Sequence, residues 1–278
     1  MDLTRPLPLP AIDRRKLAGA LLLAGVFAMV TTVAYFIIGS IPYTNDWERC
    51  IRPAAVALLQ AQSPYLTSCF YNPPWALIPL LPLALLPPHL GSLIIAEACV
   101  VAFFFVSKRM GTPRWGAAAV ALSPLVLVCA IMGNIEWLVA LGFVLPPQIG
   151  LFFVLVKPQA GIAVAAFWTI QAWQRGGIHE VVKLLTPITG ITLLSFLLYG
   201  FWPGYMAGMN DSAGNWSLWP WSILIGLLLL AWAAHSKNIR TAIIASPFLS
   251  PYVMMTTWAI PFLGLFTQKG TTDRSSTS

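Results

Sequence analysis

The sequence has very few charged residues for its length. Of its 278 residues, 9% are charged, whereas soluble proteins average about 25%. Hydrophobic residues make up 58% of the chain, which is more than a soluble domain could cover with so small a charged surface. The composition therefore excludes an ordinary soluble protein and predicts an integral membrane protein.

The sequence also lacks the common motifs of soluble enzymes. It has no glycine-rich phosphate loop, no Ser-His-Asp signature, and no group of cysteines or histidines at metal-ligand spacing. Its three histidines, His89, His179 and His235, lie in predicted loops. We therefore expect neither a metal ion nor a bound cofactor.

Apolar blocks long enough to cross a membrane recur along the chain. A crossing helix needs about 20 apolar residues, and lipid offers no partner to free backbone groups, so such blocks must be helical. The clearest blocks are Leu17–Ile38, Gly91–Ser107, Trp115–Met132, Leu184–Phe201 and Trp216–Ala234. The pattern predicts an all-α, polytopic bundle with roughly eight to ten membrane segments at one per 20-odd residues.

Positive charges lie between these blocks and at the chain ends, within a net charge of +7. That distribution is typical of cytoplasmic loops and does not favour nucleic-acid binding. The main groups are Arg14-Arg15-Lys16, Lys108-Arg109, Lys237 with Arg240, and Lys269 with Arg274. We predict a multi-pass protein of the plasma membrane with a cytoplasmic N-terminal tail (1–16), a membrane domain (17–267) and a polar C-terminal tail (268–278).

The longest polar interruption, residues 39–72, is predicted to be an outer loop. Within it, Ile51–Gln62 favours a helix that is too short to cross and would lie on the membrane surface. Cys50 and Cys69 both fall in this loop. An oxidising exterior would permit a disulfide between them, and two free thiols are the alternative.

The next apolar run, Trp75–Leu86, is interrupted by Pro79 and Pro82, and prolines kink or end helices. Two interpretations stay open, a short tilted crossing and a re-entrant segment. A full crossing would place the basic loop 108–114 outside, which the positive-inside rule disfavours.

Four ionisable residues are the main candidates for chemistry. Asp46 follows the first predicted crossing, and a carboxylate beside an apolar cavity can have a raised pKa and act as a general base; the alternative is a solvated loop acid. Glu97 and Glu136 lie within or at the edge of apolar blocks, where ionisable groups indicate functional sites. The positive charge of Lys157 could bind a phosphate. The alternative is that its side chain extends along apolar surface and places its ammonium group at the membrane interface.

Several short motifs occur in an order that resembles a known class of membrane enzymes. They are Asp46-Trp47, Ser63-Pro64-Tyr65, Tyr71-Asn72-Pro73-Pro74, Gly133-Asn134-Ile135-Glu136-Trp137-Leu138 and Lys157-Pro158-Gln159. Together they resemble the GT-C class of polyprenol-phosphate-sugar-dependent glycosyltransferases, and most of all glycosyltransferase family 87, which includes α-mannosyltransferases. The chain departs from that pattern at Gln60, where a small residue is usual, and at Asn134, where glutamine is usual.

The resemblance implies a GT-C-like fold and the transfer of a sugar, with mannose as one candidate, at the outer membrane face. The donor would be a polyprenyl-phosphate sugar and the acceptor a lipid or a glycan. Asp46 would be the base, and Lys157, Arg49 or Arg52 would stabilise the phosphate. The other residues implied in substrate binding are Tyr65, Tyr71, Asn72, Asn134, Glu136, Gln159 and Asp211.

Two other functions remain open from the sequence. One is a non-catalytic accessory or structural subunit of a membrane complex, which would keep the helical scaffold without depending on Asp46. The other is a small transporter, because broken helices and intramembrane acids also occur in such proteins.

Overall fold

The computed structural model describes residues 31–32, 36, 40, 45–205 and 214–266. The predicted tails 1–16 and 268–278, and most of the predicted crossing Leu17–Ile38, lie outside the described residues. Regular structure in the described part of the chain is entirely helical, without a strand, which confirms the all-α prediction. The α-helices are α1 (Arg52–Leu59), α2 (Leu81–Ala84), α3 (Pro88–Arg109), α4 (Arg114–Ala121), α5 (Pro124–Ile131), α6 (Glu136–Gly142), α7 (Pro147–Val154), α8 (Pro158–Tyr199), α9 (Ile223–Ser236), α10 (Ile239–Ala245) and α11 (Ile260–Leu265).

Shorter helical turns of other types connect several of these helices. A π-helical turn, Trp47–Ile51, leads directly into α1, and a 3₁₀ helix, Pro74–Leu80, leads into α2. Further 3₁₀ turns are Pro64–Leu66, Ser246–Leu249 and Met255–Ala259. Helix α1 falls within the predicted surface helix 51–62; its alanine-rich sequence favours a helix, and Ala54, Ala55 and Ala57 are buried.

Two described helices, α3 and α8, are long and apolar enough to cross a membrane. Helices α4 and α5 meet at a bend of 50° and would add a third span if they are counted together. The structure thus gives two or three candidate spans in its described part. The larger number of crossings stays a prediction.

The proline-interrupted run after the outer loop does not carry the chain across a bilayer by itself. Residues 74–84 cover roughly 20 Å at the rises of 3₁₀ and α helices, against a hydrocarbon thickness of about 30 Å. Its two flanks also lie near the start of α1: before the run, Cys69 is bonded to Cys50, and after it Arg52 Nη2 donates to Leu86 O at 3.4 Å. This geometry favours the re-entrant alternative.

Helix α8 is broken near its middle, at Gly176 and Gly177. Gly177 has φ +61°, a left-handed conformation that glycine adopts without strain. The two segments on either side are roughly 27 Å and 33 Å long at 1.5 Å per residue. Each is therefore close to the length that one crossing needs.

Helices α6 and α7 form a short hairpin, with Pro146 and Pro147 at the turn. The two helices approach closely at Gly142 and Gly150, since a Cβ on Gly150 would lie 2.7 Å from Gly142 O. Each helix is only about 12 Å long, so the hairpin enters the protein and returns. Glu136 and Lys157 consequently lie together at its open end.

Candidate functional site

A cavity of about 280 Å³ lies at the open end of the α6–α7 hairpin. Its walls come from the segment that precedes α1, the loop before Pro73, the two ends of the hairpin and the segment before α11. The lining residues are Asp46, Arg49, Cys50, Ile51, Cys69, Tyr71, Asn72, Asn134, Lys157, Gln159, Tyr252 and Met254.

Asp46 is held at the start of the π-helical turn by its neighbours. Its backbone N–H donates to Met132 O at 2.7 Å, and the adjacent Asn45 Oδ1 accepts from Trp47 N at 2.8 Å. Gly133 packs against this segment with φ +62°, and a Cβ there would lie 2.1 Å from Asn45 Oδ1. Such close packing fixes the direction of the Asp46 side chain, and π-helical turns occur frequently at functional sites.

Asn134 connects Asp46 to the protein interior. Its Nδ2 donates to Asp46 Oδ2 at 2.9 Å and lies 3.3 Å from Thr256 Oγ1. Its Oδ1 accepts from Lys157 Nζ and from Ile135 N. The Asn134 amide is thereby held with its donor end toward the carboxylate.

Glu136 and Lys157 form a buried ion pair behind Asn134. Lys157 Nζ lies 3.0 Å from Glu136 Oε1, and the Glu136 side chain is fully buried. Thr256 Oγ1 donates to Glu136 Oε1 at 2.7 Å, and Thr257 Oγ1 lies 3.4 Å from the same oxygen. A buried charge is tolerated when it is paired and hydrogen-bonded, and both conditions hold here.

The surroundings shift the pKa values of these groups in different directions. Burial raises the pKa of the Asp46 carboxyl above 3.8; Glu136 adds to the rise, while Lys157 and Arg49 oppose it. Burial acts to raise the pKa of Glu136 as well, but Lys157 and the hydrogen bond from Thr256 bring it below its usual value. Burial acts to lower the pKa of Lys157, but Glu136 and Asp46 raise it. The interior pair thus stays ionised, whereas Asp46 is a stronger base than an ordinary aspartate.

Arg49 supplies a second positive charge to the cavity. It lies one helical turn after Asp46, is exposed and lines the same wall. Lys157 Nζ also reaches the cavity but is already bonded to Glu136 and Asn134. An incoming anion would therefore meet Arg49 as the more accessible cation.

A disulfide between Cys50 and Cys69 closes the outer wall of the cavity, which settles the alternative left open by the sequence. It links the turn that carries Arg49 to the loop that carries Tyr71 and Asn72. A structural disulfide is typical of an oxidising compartment, so this bond favours an exterior location for the cavity.

Most of the predicted site residues meet at this cavity. Asp46, Arg49, Tyr71, Asn72, Asn134, Lys157 and Gln159 line it, and Glu136 lies directly behind it. Glu97, in contrast, lies within α3, where its carboxylate accepts from Thr31 Oγ1. Asp211 lies outside the described residues.

Besides Glu136 and Glu97, two predicted residues are described but do not line the cavity. Arg52 points toward the end of the re-entrant run, where it donates to Leu86 O. Tyr65 packs in an aromatic cluster, 6.3 Å from the Trp202 ring centroid and 5.3 Å from that of Tyr205. Since its hydroxyl donates to Asn72 O, Tyr65 supports the cavity wall from behind.

Sequence reasoning missed the contribution of the segment before α11. Tyr252 and Met254 line the cavity, and Thr256 hydrogen-bonds Glu136. The one available signal was the pair of hydroxyls, Thr256-Thr257, in an otherwise apolar stretch. Such hydroxyls commonly bond to their own helix backbone, so the signal is weak.

Within the described ranges, no three His, Cys, Asp or Glu side chains are grouped so that they could hold a metal ion. Comparison of the chain with protein-family models, curated proteins and solved structures gives no match.

Proposed function

We propose that this chain is a polytopic membrane glycosyltransferase that uses a polyprenyl-phosphate sugar as donor. The observation that carries the proposal is the shared cavity of Asp46 and Arg49. One is a carboxylate with a raised pKa, and the other is an exposed guanidinium on the same wall. Transfer from a lipid phosphate needs a base for the acceptor and a cation for the leaving group, and this cavity supplies both.

The reaction would run as a direct displacement. The Asp46 carboxylate removes the proton of an acceptor hydroxyl, whose oxygen then attacks the anomeric carbon of the donor sugar. The bond between that carbon and the phosphate oxygen breaks, and its electron pair leaves with the polyprenyl phosphate. Arg49 stabilises the phosphate through charge-assisted hydrogen bonds.

Asn134 would orient Asp46 toward the acceptor. It bonds one carboxylate oxygen, Oδ2, and leaves Oδ1 to take the proton of the acceptor hydroxyl. Tyr71, Asn72 and Gln159 offer hydroxyl and amide groups to the sugar from the facing walls. The buried pair of Glu136 and Lys157 acts through Asn134, as a support for the base.

Two apolar grooves beside the re-entrant run support a donor with a lipid tail. One, of about 230 Å³, lies between Trp75, Ile78 and the end of α8. The other, of about 220 Å³, lies between the same two residues and Phe152. Both are lined by Trp75, three residues after the cavity-lining Asn72, and we assign the prenyl chain of the donor to one of them.

The deciding experiment measures sugar transfer from radiolabelled polyprenyl-phosphate mannose in membranes that contain the wild type or Asp46→Asn. We expect transfer by the wild type and a loss of about 10²- to 10⁴-fold in the variant, the usual contribution of a general base. Glu48→Gln is the matched control, since the Glu48 carboxylate is bonded to Ser92 and His89 and does not line the cavity. It should retain transfer.

Two outcomes would contradict the proposal. Equal transfer by wild type and Asp46→Asn would exclude Asp46 as the base. No transfer from mannose, glucose, galactose or arabinose donors would instead favour an accessory subunit of a membrane complex.

A further inference from the structure

The end of the bundle opposite the cavity is strongly basic. Helix α3 begins beside Trp47, whose Nε1 donates to Pro88 O, and it ends roughly 30 Å away at 1.5 Å per residue. Gln171, near the break of α8, reaches the end of α9 through its hydrogen bond to Ala234 O. Basic residues at or next to these helix ends are Lys108, Arg109, Arg114, Arg175, Lys237 and Arg240.

A cavity of about 390 Å³ lies at this basic end. Two of its six lining residues are arginines, and none of them is acidic. The lining residues are Arg109, Met110, Phe143, Val144, Ile239 and Arg240. They come from the end of α3, the tip of the α6–α7 hairpin and the start of α10, so the cavity is a product of the fold rather than of one loop.

The two arginines have different positions in the cavity. Arg240 Nη2 donates to Met110 O at 2.8 Å, so this guanidinium holds the end of α3 against α10. Arg109 is exposed, and its Cζ lies 5.7 Å from the centroid of the Phe105 ring. The apolar part of a long basic side chain commonly lies along apolar surface while its charged end stays in water, and Arg109 beside Phe105 fits that arrangement.

We infer that this cavity binds the phosphate headgroup of an anionic glycerophospholipid. Arg109 binds the phosphate with its planar fork of donors, and Arg240 adds positive charge from the opposite wall. Phe143, Val144 and Ile239 contact the glycerol and the first carbons of the acyl chains. The positive-inside rule accounts for basic residues in a loop, but it does not account for a cavity that three elements of the fold build around two arginines. The inference does not depend on the proposed sugar transfer.

The test is a lipid titration of the purified full-length protein, with bound lipid counted by native mass spectrometry. Phosphatidylglycerol and phosphatidylcholine with the same acyl chains are compared. We expect the wild type to bind phosphatidylglycerol more tightly, and Arg109→Gln to lose about fivefold in apparent affinity, from about 1 kcal/mol per basic residue. Arg114→Gln is the matched control, because it removes one exposed arginine at the same end that does not line the cavity.

Arg109→Lys separates charge from geometry, because lysine keeps the charge without the fork. It should bind phosphatidylglycerol more tightly than Arg109→Gln and less tightly than the wild type. Equal losses in Arg109→Gln and Arg114→Gln would indicate general surface charge and overturn the inference.

The comparison of lipids on the wild type needs no variant and therefore stands even if a variant fails to fold. Equal affinity for the two lipids would overturn the inference. Displacement of phosphatidylglycerol by an equal concentration of glycerol phosphate would identify a site for soluble phosphates and overturn the lipid assignment.

Discussion

Asn134 donates to Asp46 through one end of its side-chain amide, at 2.9 Å, and accepts from Lys157 at the other end. A single amide thus joins the carboxylate that faces the cavity to an ion pair in the interior. Because both ends of the amide are occupied, Asn134 has one preferred orientation. The base of the proposed reaction is therefore oriented by a hydrogen-bond network that continues from the cavity into the interior, to Glu136.

Removal of this amide should change the pH dependence of sugar transfer. In Asn134→Ala the Asp46 carboxylate loses a donor, and because hydrogen bonds to the charged form lower a pKa, its pKa should rise further above 3.8. The base acts when deprotonated, so the rate increases with pH and the acidic limb should move to higher pH. The measurement is the pH profile of kcat/KM. Asn72→Ala, on another wall of the cavity, is the control and should raise KM without moving the acidic limb. If the acidic limb of Asn134→Ala does not move, Asn134 does not position Asp46.

The buried ion pair should tolerate double replacement better than single replacement. Lys157→Met leaves the Glu136 carboxylate buried without a cation and should lower the free energy of unfolding by about 3–5 kcal/mol. The double variant Glu136→Leu/Lys157→Met should lose less, as read from thermal unfolding in detergent. Lys183→Met is the control, because its partner Glu180 lies 3.8 Å away at an exposed site, where a pair contributes under about 1 kcal/mol. Additive losses in the double variant would show that the two charges are not coupled.

The disulfide should stabilise the cavity wall. Cys50 and Cys69 are 19 residues apart, and a closed loop of this size stabilises a fold by about 3 kcal/mol in the chain-entropy description. Cys50→Ser/Cys69→Ser should unfold at lower temperature and bind donor less tightly, since the loop of Tyr71 and Asn72 loses its tether. A reducing agent should lower the stability of the wild type and leave the double variant unchanged. An identical response of the two proteins would exclude a stabilising disulfide.

Gly133 should be intolerant of a side chain. In Gly133→Ala the left-handed backbone is strained and the new Cβ meets Asn45 Oδ1, so we expect a loss of about 1–3 kcal/mol together with reduced transfer. Gly190→Ala is the matched control, because this helical glycine has no neighbour within 4 Å of its Cβ position. It should stabilise α8 by about 0.5–1 kcal/mol. Thermal unfolding of both variants is the check, and equal effects would contradict the packing argument.

The sequence was informative where polar residues interrupt apolar runs. Asp46, Asn134 and Lys157 stand out because a membrane protein places ionisable and amide groups there only with a reason, and the structure brings these three together. Glu136 stands out in the same way, although its side chain faces the interior rather than the cavity. The all-α class follows from the same apolar pattern.

The sequence could not distinguish Arg49 from Arg52. The two arginines are three residues apart, which on a regular α-helix places them on the same face. The π-helical turn Trp47–Ile51 changes the number of residues per turn just before α1, so only Arg49 lines the cavity. Apolar periodicity carries no information about such a turn.

The contribution of Tyr252, Met254 and Thr256 depends on contacts over more than 100 positions. Thr256 bonds to Glu136, which is 120 residues earlier in the chain. Local sequence cannot predict a pairing at this separation. Two hydroxyls in an apolar stretch are equally compatible with bonds inside one helix.

That long separation also sets an order of events during biosynthesis. Asp46 and its neighbours are synthesised early, and the pairing of Glu136 with Lys157 can form once the hairpin is complete. Thr256 and the wall at Tyr252 are translated about 100 residues later, so until then the carboxylate of Glu136 lacks its hydroxyl partner. A nascent chain that stops before this segment therefore lacks one wall of the cavity and leaves Glu136 without the hydroxyl of Thr256.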